Sequence, residues 1–170
     1  CYSPLIEPGS SLTEARMADI VRNIIRIADK LGKPVFTVAS IASTCAAVTR
    51  IAVLHNDDGS FREVYRLTNP PVHCFIDPEI IVNAPARYFW AGMGDTMAKH
   101  YEATVSSRDH IPSHSDAMGI TLSSMCAAPI LRWGQKALAD CKANTVTYEL
   151  TEVILGIIIS TGFVSNFVQI

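Results

Sequence analysis

The sequence predicts an α/β part followed by an all-helical part. Three observations carry that prediction. Two short apolar runs without alternation, at 35–38 and 72–76, read as strands buried on both faces, the kind found in parallel sheets. Two β-prone runs, at 49–55 and 61–66, flank Asn56-Asp57-Asp58-Gly59-Ser60, a hairpin signal. From Pro85 onward the strand signals fade and the apolar spacing becomes helical. Strands with helices first and helices alone afterwards divide the chain near Ala84, into 1–84 and 85–170.

Taken in order, residues 1–12 form a loop with Pro4, Pro8 and Gly9. A helix is predicted over 13–31, with Thr13 or Ser11 as N-cap and Met17, Ile20, Val21, Ile24, Ala28 and Leu31 at helical spacing. Gly32, Lys33 and Pro34 stop it. The strand at 35–38 leads into a loop of small side chains and hydroxyls over 39–47. After the hairpin, Asn69-Pro70-Pro71 breaks the chain, the 72–76 strand follows, and Asp77-Pro78-Glu79 caps a brief helix. Helices are then predicted over 88–105, 114–127, 129–140 and 146–159. No internal repeat or low-complexity segment occurs.

A length of 170 residues bounds one ordinary domain, or two small ones sharing a core. Apolar residues at 49% and charged residues at 18% describe a chain that packs a core, not a disordered one. A net charge of -2, a pI near 6.2 and no Lys/Arg cluster point away from nucleic acid and anionic membrane surfaces. Mean hydropathy is +0.24, and the most apolar run covers 153–159. Roughly 20 apolar residues are needed to cross a bilayer, so this run reads as a buried helix. The five cysteines are odd in number and form no C-x-x-C pair. They read as free, buried thiols of a reducing cytoplasm. The first residues lack the charged start and long apolar stretch of a signal peptide.

Three constellations can carry chemistry. In Ala91-Gly92-Met93-Gly94-Asp95, two glycines let backbone pass close to another group and present a carboxylate at a helix start. There it either caps the helix or ligates a cation. The 39–47 loop follows a buried parallel strand; it either faces a ligand, as the carboxyl ends of such strands do, or is simply well packed. His110 and His114 lie four apart, but Pro112 between them breaks a continuous helix and no third ligand is near. They read as a solvated loop and a helix start. The glycine-rich phosphate-loop motifs and the G-x-S-x-G elbow are absent.

Three stretches taken together carry a resemblance. They are Ser40-Ile41-Ala42-Ser43-Thr44-Cys45-Ala46-Ala47, Ile76-Asp77-Pro78-Glu79-Ile80-Ile81-Val82-Asn83-Ala84-Pro85, and Ala91-Gly92-Met93-Gly94-Asp95-Thr96-Met97-Ala98-Lys99. In this order and spacing they resemble the glycerol dehydrogenase branch of the iron-containing alcohol dehydrogenases, from about residue 12 to the end. The resemblance implies a Rossmann-like, mostly parallel sheet followed by an all-helical metal and substrate domain. It implies an oxidoreductase that moves hydride between a small alcohol, polyol or hydroxy acid and NAD or NADP, with one divalent zinc or iron ion, in a homo-oligomer. Asp95 matches the metal-binding aspartate. Ser40, Ser43 and Thr44 match positions that contact the dinucleotide. Thr49, Ile51 and His55 match nicotinamide-side positions, with His55 where the family often has tyrosine.

The departures are as informative. Glycerol dehydrogenases usually carry Asp at the substrate-facing position of Cys45, and a thiol cannot accept two polyol hydroxyls as a carboxylate does. The variant resembles the branch that includes hydroxycarboxylate dehydrogenases. Ala18-Asp19-Ile20-Val21 resembles the strand before the family's Gly-Gly-Gly pyrophosphate loop, and 23–34 the helix after it, with the loop absent. The segment 13–31 is therefore one helix or two joined elements. The family's two metal-binding histidines follow the segment matched by Ser160-Thr161-Gly162-Phe163, and none of the five histidines here can be carried onto them. The expectation is of a sequence that omits parts of the family's polypeptide. If these residues are all there is, the expectation is a non-catalytic structural or partner-binding piece.

Overall fold

The computed structural model describes residues 14–56, 60–109 and 111–167. Helix α1 (Glu14–Lys30) is unbroken, so 18–21 is helix and not the strand that the resemblance implied. The segment holds no Gly or Pro, and its apolar residues recur at helical spacing, so nothing interrupts the turn-to-turn hydrogen bonds. It ends at Gly32, where φ is 61°, and Lys33 N–H donates back to Ala28 O at 2.8 Å. Polar bonds tie α1 to the hairpin. The Asp29 carboxylate accepts from Tyr65 Oη and from Thr68 N–H, each at 2.9 Å, and Arg26 pairs with Glu63 at 3.3 Å.

Strand β1 (Phe36–Ala39) pairs in parallel with β4 (His73–Ile76), from Phe36 opposite His73 to Ala39 opposite Ile76. Strands β2 (Ile51–His55) and β3 (Phe61–Arg66) form the antiparallel hairpin. The predicted turn residues 57–59 lie outside the described residues. The parallel pairing was legible in sequence; burial on both faces was not correct. Thr37 and Ala39 are buried, but Phe36 and Val38 are 60% and 50% exposed, because helices cover only one face of this short pair. Asp77 caps α2 (Pro78–Ile81) by accepting from Glu79 N–H at 3.0 Å, as predicted.

Everything after α2 that is regular is helical: α3 (Ala86–Ser106), α4 (His114–Cys126), α5 (Ala128–Lys142) and α6 (Tyr148–Leu155), then a single π turn (Gly156–Ser160) and α7 (Thr161–Phe167). The fold class is the one predicted. Ser113 starts α4 through a capping box with Asp116, and Thr147 starts α6 by accepting from Leu150 N–H at 3.2 Å. His114 is thus an exposed helix-start residue; its sequence partner His110 lies outside the described residues. The last helical run is longer than predicted. Tyr148–Phe167 covers 20 residues with a mean hydropathy of 1.6, long and apolar enough to cross a membrane by length and composition. Leu150, Val153, Ile154, Ile157, Ile158 and Val164 are each 0% exposed. One cluster joins the two parts: Ala39, Ala42, Ala47, Ile81 and Val82 pack with Phe89, Met93, Ala137, Leu150 and Ile158.

Two glycines set how closely helices approach the segment between β1 and β2. A Cβ at Gly92 of α3 would collide with the backbone oxygen of Ala42 and come within 3.0 Å of Ser43 Cα. A Cβ at Gly162 of α7 would collide with Val48 Cγ2. Gly94, by contrast, faces open space. Opposite outcomes follow for one substitution. Gly92→Ala is expected to destabilise by about 2 kcal/mol or more, because backbone must move. Gly94→Ala is expected to stabilise by roughly 0.5 kcal/mol through helix propensity. Thermal melts of both variants check the pair; equal shifts would show that α3 does not lean on the loop.

Candidate active site

The segment 40–50 is held from three sides. The Thr37 hydroxyl of β1 donates to Ala47 O at 2.7 Å, a buried bond beneath the loop. Gly92 brings α3 against Ala42 and Ser43, and Gly162 brings α7 against Cys45 and Val48. Asn166 of α7 then binds the segment with both ends of its amide. Its Nδ2 donates to Val48 O and its Oδ1 accepts from Arg50 N–H, each at 3.1 Å. Cys45 is 8% exposed, and its Sγ lies 3.5 Å from Ser165 Oγ.

Asp95 sits in α3 three residues after Gly92, and Lys99 follows one turn later. At 100° per residue these three share one face. Gly92 seats that face on the loop at Ala42 and Ser43, and the charges of Asp95 and Cys45 both act on Lys99. Asp95 is mid-helix, ten residues past Pro85, so the capping alternative is excluded. Only one of the two neighbouring glycines serves a close approach. Gly94 points the other way, into an apolar cavity of about 330 Å³ lined by Trp90, Met93, Met97, Ile130, Gly134 and Leu138.

Asp95 is half-buried and makes no hydrogen bond or ion pair to another described residue. Lys99 is 9% exposed, and its ammonium pairs with Glu102 Oε2 at 3.0 Å. Burial pulls its pKa down, but the hydrogen bond to Glu102 and the charges of Asp95 and Cys45 more than offset that, so the net movement is up. Lys99 is ionised. Cys126, at the end of α4, is pushed up to about 11 by burial, against the pull of Lys99. Cys45, Cys126 and Lys99 are thus within electrostatic reach of one another.

The other predicted residues are only partly gathered here. Ser40 and Ser43 are half-buried in the loop and Thr44 is exposed, its hydroxyl accepting from Ala46 N–H at 3.2 Å. Thr49 is buried and its hydroxyl reaches Ile51 O at 3.5 Å. Ile51 and His55 share the half-buried face of β2 but lie about 13 Å apart along it. His55 is at the far end of the strand from Cys45.

For a divalent ion, Asp95 fits as one oxygen donor: it is half-buried and committed to nothing else among the described residues. No group of three or more His, Cys, Asp or Glu that could hold a metal occurs among the described residues. Further ligands would have to come from elsewhere, since zinc sites use three or four protein donors.

No family model matches the chain. Individual proteins do. It is 34% identical to hydroxycarboxylate dehydrogenase A of Escherichia coli over 82% of this chain and 39% of that protein. It is 32% identical to the glycerol dehydrogenase of Thermotoga maritima over 75% of this chain and 36% of that protein. Its fold matches a probable glycerol dehydrogenase from Sinorhizobium meliloti with TM-score 0.77 at 24% identity, over 90% of this chain and 43% of that one. It also matches an iron-containing alcohol dehydrogenase from Thermotoga maritima with TM-score 0.58 at 23% identity, over 79% of this chain and 34% of that one. The chain belongs to the superfamily of iron-containing alcohol and glycerol dehydrogenases. It spans about two fifths of the length of the curated relatives it matches.

Within that family frame, sequence reading missed Lys99, Ser165 and Asn166. Lys99 stood inside the quoted motif, and its spacing of four from Asp95 was the signal. Ser165 and Asn166 reach residues 120, 118 and 116 positions away, and no local pattern marks such pairs. Asn166→Ala strips two part-buried backbone groups of their partner, which costs about 1–3 kcal/mol. Hydrogen exchange at Arg50 N–H is expected to quicken by at least tenfold, on the order of that loss. Unchanged protection would show that the amide does not secure the loop.

Proposed function

We propose that this chain carries part of the catalytic core of an NAD- or NADP-dependent, metal-dependent oxidoreductase that interconverts a small alcohol, polyol or hydroxy acid with its carbonyl. The observation that supports it most is the α3 face pressed by Gly92 onto the 40–50 loop. That face carries Asp95, a half-buried carboxylate, and the loop it meets carries the buried Cys45. The relatives named dehydrogenase support the reaction class, and the one named for hydroxycarboxylates supports a hydroxy acid among the substrates.

When bound, the nicotinamide supplies the hydride acceptor and a divalent ion supplies Lewis-acid polarisation of the substrate hydroxyl. The chain's own residues do the rest. Asp95 gives that ion an oxygen ligand. Ser40, Ser43 and Thr44 face the dinucleotide from the carboxyl end of β1, where ligands of parallel strands bind. Thr49, Ile51 and His55 carry the nicotinamide side along β2. Cys45 closes the substrate side and, with Ala42 and Ala47, keeps water from the reacting carbon. Residues 1–84 belong to the dinucleotide part and 85–170 to the helical part.

Asp95→Ala in the full-length enzyme is expected to lose the bound ion and to lower turnover on the order of a hundredfold or more, with the fold kept. Metal analysis, circular dichroism and a nicotinamide absorbance assay check the three statements. Full activity in that variant would overturn the metal role. Failure of the parent enzyme to bind either dinucleotide would favour a non-catalytic, structural part instead.

A further inference from the structure

Resting on the dehydrogenase reading above, we infer that Asn166 of α7 is a positioning residue for the dinucleotide. It fixes the backbone on both sides of Thr49. The helical part of the chain thereby sets the shape of a segment that the α/β part offers to the cofactor.

Geometry comes first. Asn166 Nδ2 donates to Val48 O and Asn166 Oδ1 accepts from Arg50 N–H, each at 3.1 Å. The two ends of the amide cannot be exchanged, because a carbonyl only accepts and a backbone N–H only donates. One planar side chain therefore clamps the residues before and after Thr49, which is itself 4% exposed. The clamp closes at the step before β2 begins at Ile51. Gly162 lies one turn earlier on the same α7 face, where a Cβ would collide with Val48 Cγ2. Its missing side chain brings the helix close enough for a side chain as short as asparagine to reach the backbone.

The accounting of backbone groups comes second. The α/β part holds several of them itself. Val48 N–H donates to Cys45 O at 3.0 Å, the Thr37 hydroxyl donates to Ala47 O at 2.7 Å, and Leu67 N–H donates to Arg50 O at 2.7 Å. Val48 O and Arg50 N–H are held by α7. Packing alone does not call for an amide there, since a leucine of similar size would fill the same space. It would leave a part-buried C=O and N–H without partners, and those groups would turn to find water. In the reading above, Thr49 and Ile51 serve the nicotinamide side. Thr49 lies inside the clamp and Ile51 directly follows it. A segment released at Val48 and Arg50 presents both residues in many arrangements, and the dinucleotide must then order it on binding. A segment held beforehand spares the dinucleotide that loss of affinity.

The test is dinucleotide affinity in the full-length enzyme, measured by calorimetric titration with NADH and with NADPH. Asn166→Leu keeps the size and loses both bonds. It is expected to weaken binding of the dinucleotide that the parent takes by at least about tenfold. Asn166→Asp keeps the bond from Arg50 N–H, loses the one to Val48 O, and is expected to fall between. Thr147→Ala is the control, since it removes the N-cap of α6 and lowers stability without touching the segment. Its affinity is expected to stay within about twofold of the parent's. An Asn166→Leu enzyme that folds and binds as the parent does, or a Thr147→Ala enzyme that weakens as much, would overturn the assignment and leave the dehydrogenase reading standing. Should Asn166→Leu fail to fold, Asn166→Asp makes the same comparison against Thr147→Ala. A parent that binds neither dinucleotide would overturn both.

Discussion

The closeness of three backbones is the constraint on which the candidate site depends. The 40–50 segment carries small side chains, and both helices that meet it do so at a glycine. A methyl group at Gly92 would meet the Ala42 carbonyl, and one at Gly162 would meet Val48. Glycine inside a helix costs about 0.5–1 kcal/mol relative to alanine. The molecule carries that cost twice, at the two places where α3 and α7 touch the loop. The return is positional. With α3 seated on Ala42 and Ser43, Asp95 and Lys99, three and seven places later, share the helix face that meets the loop.

The π turn between α6 and α7 serves the same placement. Leu150, Val153, Ile154, Ile157 and Ile158 keep helical spacing and fill the core against α5. A continued α-helix would carry that phase through Gly162, Ser165 and Asn166. The wider turn at Gly156–Ser160 delays the phase, so the later residues face the loop while the earlier ones face the core. Thr161 returns a hydrogen bond from its hydroxyl to Ile157 O, which ties the far side of the turn to the near side. Gly162 and Asn166 then meet Val48 and Arg50 as one rigid unit.

Much of the fold was legible in sequence because its signals are local. Gly32 ending α1, Asp77 capping α2 and the periodicity of α3 to α5 act within one or two turns. The exposure of Phe36 and Val38 was not legible. An apolar run states that its residues are apolar, not how many helices lie on each side of the sheet. The resemblance misassigned 18–21 as strand because homology aligns residues across a missing loop, whereas the backbone of α1 responds only to what is adjacent. In the site, Asp95 and Cys45 were found through motifs. Asn166 and Ser165 were not, since their partners lie over a hundred residues earlier.

Lys99 calls for a different kind of explanation, because stability does not account for it. Taking an ammonium out of water is costly, and a buried ion pair seldom gives back more than a well-packed apolar side chain would. A methionine of similar length would fill the same space without that cost. Yet the surroundings are built to keep the charge. Burial acts to discharge the ammonium, and Glu102, Asp95 and Cys45 reverse it. Glu102, paired with the ammonium at 3.0 Å, thus keeps a positive charge on the α3 face that meets the loop, where an apolar side chain would serve the core as well.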